Sequence, residues 1–160
     1  MFRILLHAAL VLAFVLAGSC ANAMCIRYVP EPNEIDPAKA EVRYAVGMSA
    51  AVFIGHVVAM EYVPTQTEHG PGEMLVIRMA ARTWWKGAGS EEVRLNTFSY
   101  RYSDGTTSWE AHEFPYELGK TYLVYAHGGN DGLYANVCTR TKPVEKANND
   151  MPILDGLKSE

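Results

Sequence analysis

Between residues 74 and 85 the chain alternates, with Leu75, Ile77, Met79, Ala81, Thr83 and Trp85 on one side and Val76, Arg78, Ala80, Arg82 and Trp84 on the other. A period of two is that of a half-buried strand, and the pattern predicts that the first set faces the core. Arg78 and Arg82 fall on the outer face, either as a shallow anion-binding row or as members of surface ion pairs. Upstream, residues 50–63 (AAVFIGHVVAMEYV) are apolar and β-branched on both faces, which predicts a central strand covered on each side. Gly55 in its middle predicts a bulge or sharp bend, and His56 beside it reads as a hydrogen-bonded strand residue ahead of a ligand or base. The intervening residues 64–72 (PTQTEHGPG) have turn chemistry at both ends and read as a polar loop.

Farther along, Lys86-Gly87-Ala88-Gly89 breaks the strand, and Val93, Leu95 and Thr97 resume the two-residue period. Residues 99–119 read as the longest irregular stretch and carry Tyr100, Tyr102, Trp109, Phe114 and Tyr116. So many aromatics argue against disorder; they either anchor a partner or fold back over the barrel mouth. In residues 119–141, Tyr122, Val124 and Ala126 alternate with Leu123, Tyr125 and His127 up to the turn Gly128-Gly129-Asn130-Asp131-Gly132. On the returning strand Leu133, Ala135 and Val137 face one way, and Tyr134, Asn136 and Cys138 the other. After Thr141 a helix is predicted, with Pro143 near its first turn, a stripe of Val144, Ala147, Met151, Leu154 and Leu157, and Pro152 kinking or restarting it. Ahead of the strands, residues 24–38 hold three prolines and form an extended leader. Asp36 caps a short helix with Pro37 at its first position, ending near Gly47.

The sum is a mainly β protein: a five-stranded Greek-key barrel of the OB type with a short N-terminal helix and a C-terminal helix. Residues 24–49 pack on the barrel as leader and helix, and residues 50–160 form the barrel with its last helix, in one domain.

Residues 1–23 change the picture of where this domain works. Arg3, the apolar run 4–16 and the small residues 17–23 have the three parts of an export signal, with Ala21-Asn22-Ala23 as the cleavage site and Met24 as the first mature residue. A second scheme reads Leu16-Ala17-Gly18-Ser19-Cys20 as a lipoprotein signal, with Cys20 acylated and the chain anchored to the membrane. The expectation is therefore a periplasmic or secreted protein, on a membrane only through Cys20. The chain carries 14 basic and 18 acidic residues, and removal of Arg3 makes it more acidic. That balance, without a basic cluster, disfavours nucleic acid and anionic lipid as partners. Of the three cysteines, Cys20 is discarded or acylated under either scheme. Cys25 and Cys138 remain, and an oxidising compartment favours joining them. Two separate buried thiols, or a zinc site, are the alternatives, the last without metal-ligand spacing.

Four stretches, taken in order, carry a family likeness: Val52-Phe53-Ile54-Gly55-His56-Val57-Val58, Trp85-Lys86-Gly87, Gly119-Lys120-Thr121-Tyr122-Leu123-Val124-Tyr125-Ala126, and Cys138-Thr139-Arg140-Thr141-Lys142-Pro143. The set resembles the bacterial netrin-like domains related to tissue inhibitors of metalloproteinases, over most of the mature chain. The resemblance implies a five-stranded OB barrel with flanking helices and an N-terminal segment disulfide-bonded to it. It also implies that a family inhibitor sets the amino group and carbonyl of an N-terminal cysteine on a protease zinc, a position matched here by Cys25. With Met24 ahead of it, the nitrogen of Cys25 is an amide, a poor metal ligand beside a free amine.

No Gly-x-Ser-x-Gly elbow, His-Glu-x-x-His helix or phosphate loop occurs. The expectation is a non-enzymatic protein without a cofactor or bound metal that binds another exported protein, through Cys25 and the N-terminal edge and through Tyr100, Tyr102, Trp109, Phe114 and Tyr116. A metalloprotease inhibitor acting through Cys25 is the second reading, with a protease as partner. A small hydrolase or metal-binding enzyme, using His56, His69, His112 or His127, is the third.

Overall fold

The computed structural model describes residues 25, 28–129 and 132–158; the expected export signal, Cys20, Met24 and the turn residues Asn130 and Asp131 lie outside them. Helix α1 spans Pro37–Met48. It starts where the sequence predicts, because the Asp36 carboxylate accepts the Lys39 N–H at 3.0 Å and Pro37 needs no donor there. Strands β1 (Ala51–Thr67), β2 (Gly70–Lys86), β3 (Glu92–Tyr102), β4 (Thr107–Ser108), β5 (Thr121–Gly129), β6 (Gly132–Tyr134) and β7 (Lys142–Pro143) follow. A 3-10 turn, Val144–Lys146, and helix α2, Asp150–Lys158, complete the described chain.

The sheet runs β1-β2-β3-β6-β5-β7, and β1 also pairs with β5. Strands β1, β2, β3, β6 and β5 therefore form a closed ring of five, all contacts antiparallel except the parallel pairing of β3 with β6. Closure puts two layers of side chains to use. Phe53, Ile77, Met79, Leu95, Tyr122 and Val124 fill the ring. Val52, Leu123 and Tyr125 point outward and are covered by Val42 of α1, by Ala147 just after the 3-10 turn and by Leu154 of α2. This double burial is why residues 50–63 read as apolar on both faces, and each large side chain so removed from water stabilises the fold by about 1.5–3 kcal/mol.

Bulges correct the alternation in β2. Ile54 faces Thr83 and Gly55 faces Ala81, leaving Arg82 as an extra residue; Phe53 faces Trp84 and Val52 faces Lys86, leaving Trp85 as another. Each extra residue reverses the phase. Trp84, expected outside, stacks on Phe53 in the ring with centroids 4.7 Å apart, whereas Trp85 joins the helix layer and donates its indole N–H to Asp155 at 2.8 Å. Thr83, expected inside, is exposed. A ladder irregularity does fall between Ile54 and Gly55, with its extra residue on β2, and β1 pairs with both β2 and β5 around it.

Residues 64–72 are also corrected. Both strands continue to a tight turn, with Thr67 opposite Gly70. The Thr67 hydroxyl donates to the Gly70 carbonyl at 2.8 Å and accepts the His69 N–H at 3.2 Å. Pro64 and Pro71 are tolerated because their strands have no second neighbour there, so no ladder bond is lost. Within 99–119, β3 runs to Tyr102 and turns into β4, so the irregular part begins only after Ser108. Past Tyr134 the returning strand ends early. The Asn136 side chain accepts the N–H groups of Cys138 and Thr139 at 3.0 and 3.2 Å and turns the chain away. Val137 is consequently half exposed, apart from Leu133 and Ala135, with which it shares a phase in the sequence. The last helix starts at Asp150, not after Thr141. Pro143 belongs to β7, opposite Tyr122, and Pro152 restarts the helix from its first turn, where a missing N–H costs nothing.

Candidate functional site

Cys25 and Cys138 are joined by a disulfide. It fixes the start of the leader beside the segment that leaves β6, and a groove of about 540 Å³ opens between that segment and α1. Helical spacing puts Glu41, Tyr44, Ala45 and Met48 along one side of α1, and all four line the groove. Tyr28 of the leader lies against Tyr44 with centroids 5.2 Å apart. Val137, Thr139, Arg140 and His127 supply the opposite wall. Three of the apolar lining residues face solvent to a large extent: Tyr44 at 42 %, Met48 at 56 % and Val137 at 48 %.

Beneath this wall lies a buried polar cluster. Asp150, 2 % exposed, accepts from Arg140 Nε at 2.7 Å and Nη2 at 3.1 Å, from Lys142 Nζ at 3.0 Å and from the Tyr125 hydroxyl at 3.0 Å. Burial alone would raise the Asp150 carboxyl, but the hydrogen bonds and charges of Arg140 and Lys142 outweigh it and hold the group below its ordinary value. Arg140 is likewise held charged: burial works against it, and Asp150 and Glu41 more than compensate. Its Nη1 meets Glu41 Oε2 at 2.8 Å on the groove side. Burial first, and then the negative Asp150, push the Tyr125 hydroxyl up.

The aromatic candidates divide. Trp109 is 72 % exposed. Phe114 and Tyr116 instead turn inward, 4.7 Å apart, and pack on Tyr122 inside the ring, so these two side chains belong to the core and not to an outer face. The Tyr116 hydroxyl is buried without a hydrogen-bond partner among the described residues, and burial drives its pKa far up. Tyr100 and Tyr102 lie on the β3–β4 hairpin, with the Tyr102 hydroxyl 2.9 Å from Ser108 Oγ and its ring edge-on to His69. None of the five lines the groove; Cys25 does. Glu113, from the same loop, accepts from Phe98 N–H at 3.2 Å and from the Ser99 hydroxyl at 2.8 Å, and so satisfies the bulge in β3. Its burial raises its pKa despite these bonds.

His56 Nδ1 is 3.0 Å from the Thr121 hydroxyl and borders a smaller pocket of about 380 Å³ with Ile54, Ala80, Arg82 and Thr121. Of the two arginines expected outside, Arg78 forms a bidentate pair with Glu92 at 3.0 Å. His69, His112 and His127 belong to three other parts of the chain, and among the described residues no three His, Cys, Asp or Glu side chains cluster to hold a metal ion. Also among the described residues, no helix is long and apolar enough to cross a membrane.

The groove residues Tyr28, Tyr44, Met48 and Val137 were not singled out by their sequence. The one sign of them was the i, i+3, i+7 spacing of Glu41, Tyr44 and Met48, a second helix face distinct from the buried one at Val42. No protein-family model matches the sequence, and no curated protein matches it.

Proposed function

We propose that the chain is an exported, non-enzymatic OB-fold protein of netrin-like type that binds another exported protein through its N-terminal edge and the loop carrying Trp109. Strand order supports the fold reading. Strands β1, β2 and β3 follow one another as antiparallel neighbours, and β5 returns to lie beside β1, as the Greek-key reading requires. The fifth ring strand, β6, closes the circuit between β5 and β3, as a small OB barrel requires. The Cys25–Cys138 bridge carries the functional reading, because it holds the leader on the outside of this ring as a fixed edge with a groove behind it. Exposed Trp109 adds an aromatic anchor of the kind that dominates binding energy.

The bridge also keeps a metalloprotease inhibitor in view, since it holds Cys25 at the surface. That mechanism needs a free amine on Cys25, which cleavage before Met24 does not give. Capture by the immobilised, disulfide-bonded chain tests the main reading: a protein retained from the exported fraction should be lost or weakened more than tenfold with Trp109→Ala. Equal retention by the variant, or no retained protein, would contradict it.

A further inference from the structure

We propose that the groove between α1 and the disulfide receives a basic, apolar segment of a partner protein, a lysine or arginine flanked by aliphatic side chains; this rests on the protein-binding reading above. The floor and rim call for different halves of that ligand. Tyr44, Met48 and Val137 present apolar surface to solvent, and the groove volume of about 540 Å³ is enough for two or three side chains. A lysine or arginine lays its methylene stem on such a surface and keeps its charge at the edge. The edge is acidic. Residues 28–36 carry Glu31, Glu34 and Asp36 and no basic residue. Glu34 and Glu31 lie close enough to Tyr28 that, after burial, their charges are the main causes raising its hydroxyl. Arg140, the cation in the wall, is answered by Asp150 and Glu41 and leaves no net positive charge to repel the ligand. The tyrosine rings add a face for a cation.

Charge also decides against two other occupants. A second copy of this chain brings the same acidic leader and the same net charge of −4, and an anionic membrane is repelled likewise.

The disulfide-bonded chain is titrated with acetyl-Leu-Lys-Leu-Lys-amide and with acetyl-Leu-Glu-Leu-Glu-amide while its amide resonances are followed by NMR. The lysine peptide is expected to shift Tyr44, Met48 and Val137 and to bind at least about tenfold tighter than the glutamate peptide. Met48→Ser should weaken it about tenfold, and Glu34→Gln about two- to fivefold, with melting temperatures unchanged because both side chains are solvent-accessible. Equal binding of the two peptides, shifts confined to other residues, or no shift would overturn the proposal. So would a concentration-dependent dimer in sedimentation that Met48→Ser abolishes, which assigns the groove to a second copy. Partner capture that persists in Met48→Ser would remove the groove and leave the protein-binding reading standing; absence of any captured protein would remove that reading itself.

Discussion

Gly55 lies in the stretch of β1 that pairs with both β2 and β5 and so closes the ring. A Cβ built there would come within 2.8 Å of Met79 Sδ and 2.9 Å of Phe53 Cε2, both inside the ring. Gly55→Ala should therefore destabilise the protein by about 1–3 kcal/mol through overpacking, seen as a lower urea midpoint with unchanged slope. An unchanged midpoint would contradict the packing described. The need for glycine was legible because a lone glycine in a β-branched run marks a bulge, a tight bend or a close approach of other atoms. The fates of Trp84 and Trp85 were not. Alternation assigns faces only while the ladder is regular, and the extra residues Arg82 and Trp85 leave no mark in composition. Gly87 shows how tightly the swap is held: its φ is +111°, and a Cβ would come within 2.8 Å of the Trp84 ring.

At the scale of elements, the Asp150 cluster joins four parts of the chain: α2 through Asp150, β7 through Lys142, β5 through Tyr125 and α1 through the Arg140–Glu41 pair. The folded pKa of Asp150 lies below the ordinary 3.8. A depressed carboxylate contributes stability that is fully present above pH 3.8 and is lost as pH falls through the lower, folded value. Asp150→Asn should cost about 3–5 kcal/mol at neutral pH, because it leaves Arg140 and Lys142 short of a buried partner. It should also flatten the acid limb of the stability–pH curve. A variant whose curve parallels the parent's below pH 4 would contradict this assignment. The sequence showed that two helices flank the strands, the apolar stripe of the second and the beginning of α1 to the residue, since caps and prolines act locally; it began the second helix too early. It did not show the cluster, whose Tyr125 and Asp150 are 25 residues apart and whose Glu41 lies farther still, so that its members meet only after α1, β5, β7 and α2 have packed. The extended β1–β2 hairpin was missed for a related reason: Thr67 and Gly70 make a turn tight enough for two prolines to stay in paired strands.

For the whole molecule, the closed ring and the bridge from Cys25 to Cys138 set the shape together. The separation of 113 residues between the two cysteines encloses nearly the whole domain. In the chain-entropy model, closing a loop of that length stabilises the fold by about 4–5 kcal/mol. The pairing was legible from the cysteine count and from the expected export signal, and the closed ring from five strand patterns separated by turn signals. The groove beside the bridge was hidden, because it depends on Val137 being turned outward by Asn136 and on the leader being held against α1. Central to the proposed function is an exported chain that begins at Met24 and is locked to its ring through Cys25. Non-reducing peptide mapping by mass spectrometry, on the chain recovered from the exported fraction, tests this directly. The expected result is a mature N-terminus at Met24 and one linked peptide pair containing Cys25 and Cys138. Retained residues 1–23, an acylated Cys20, a chain starting at Cys25, or alkylatable thiols at both cysteines would contradict it.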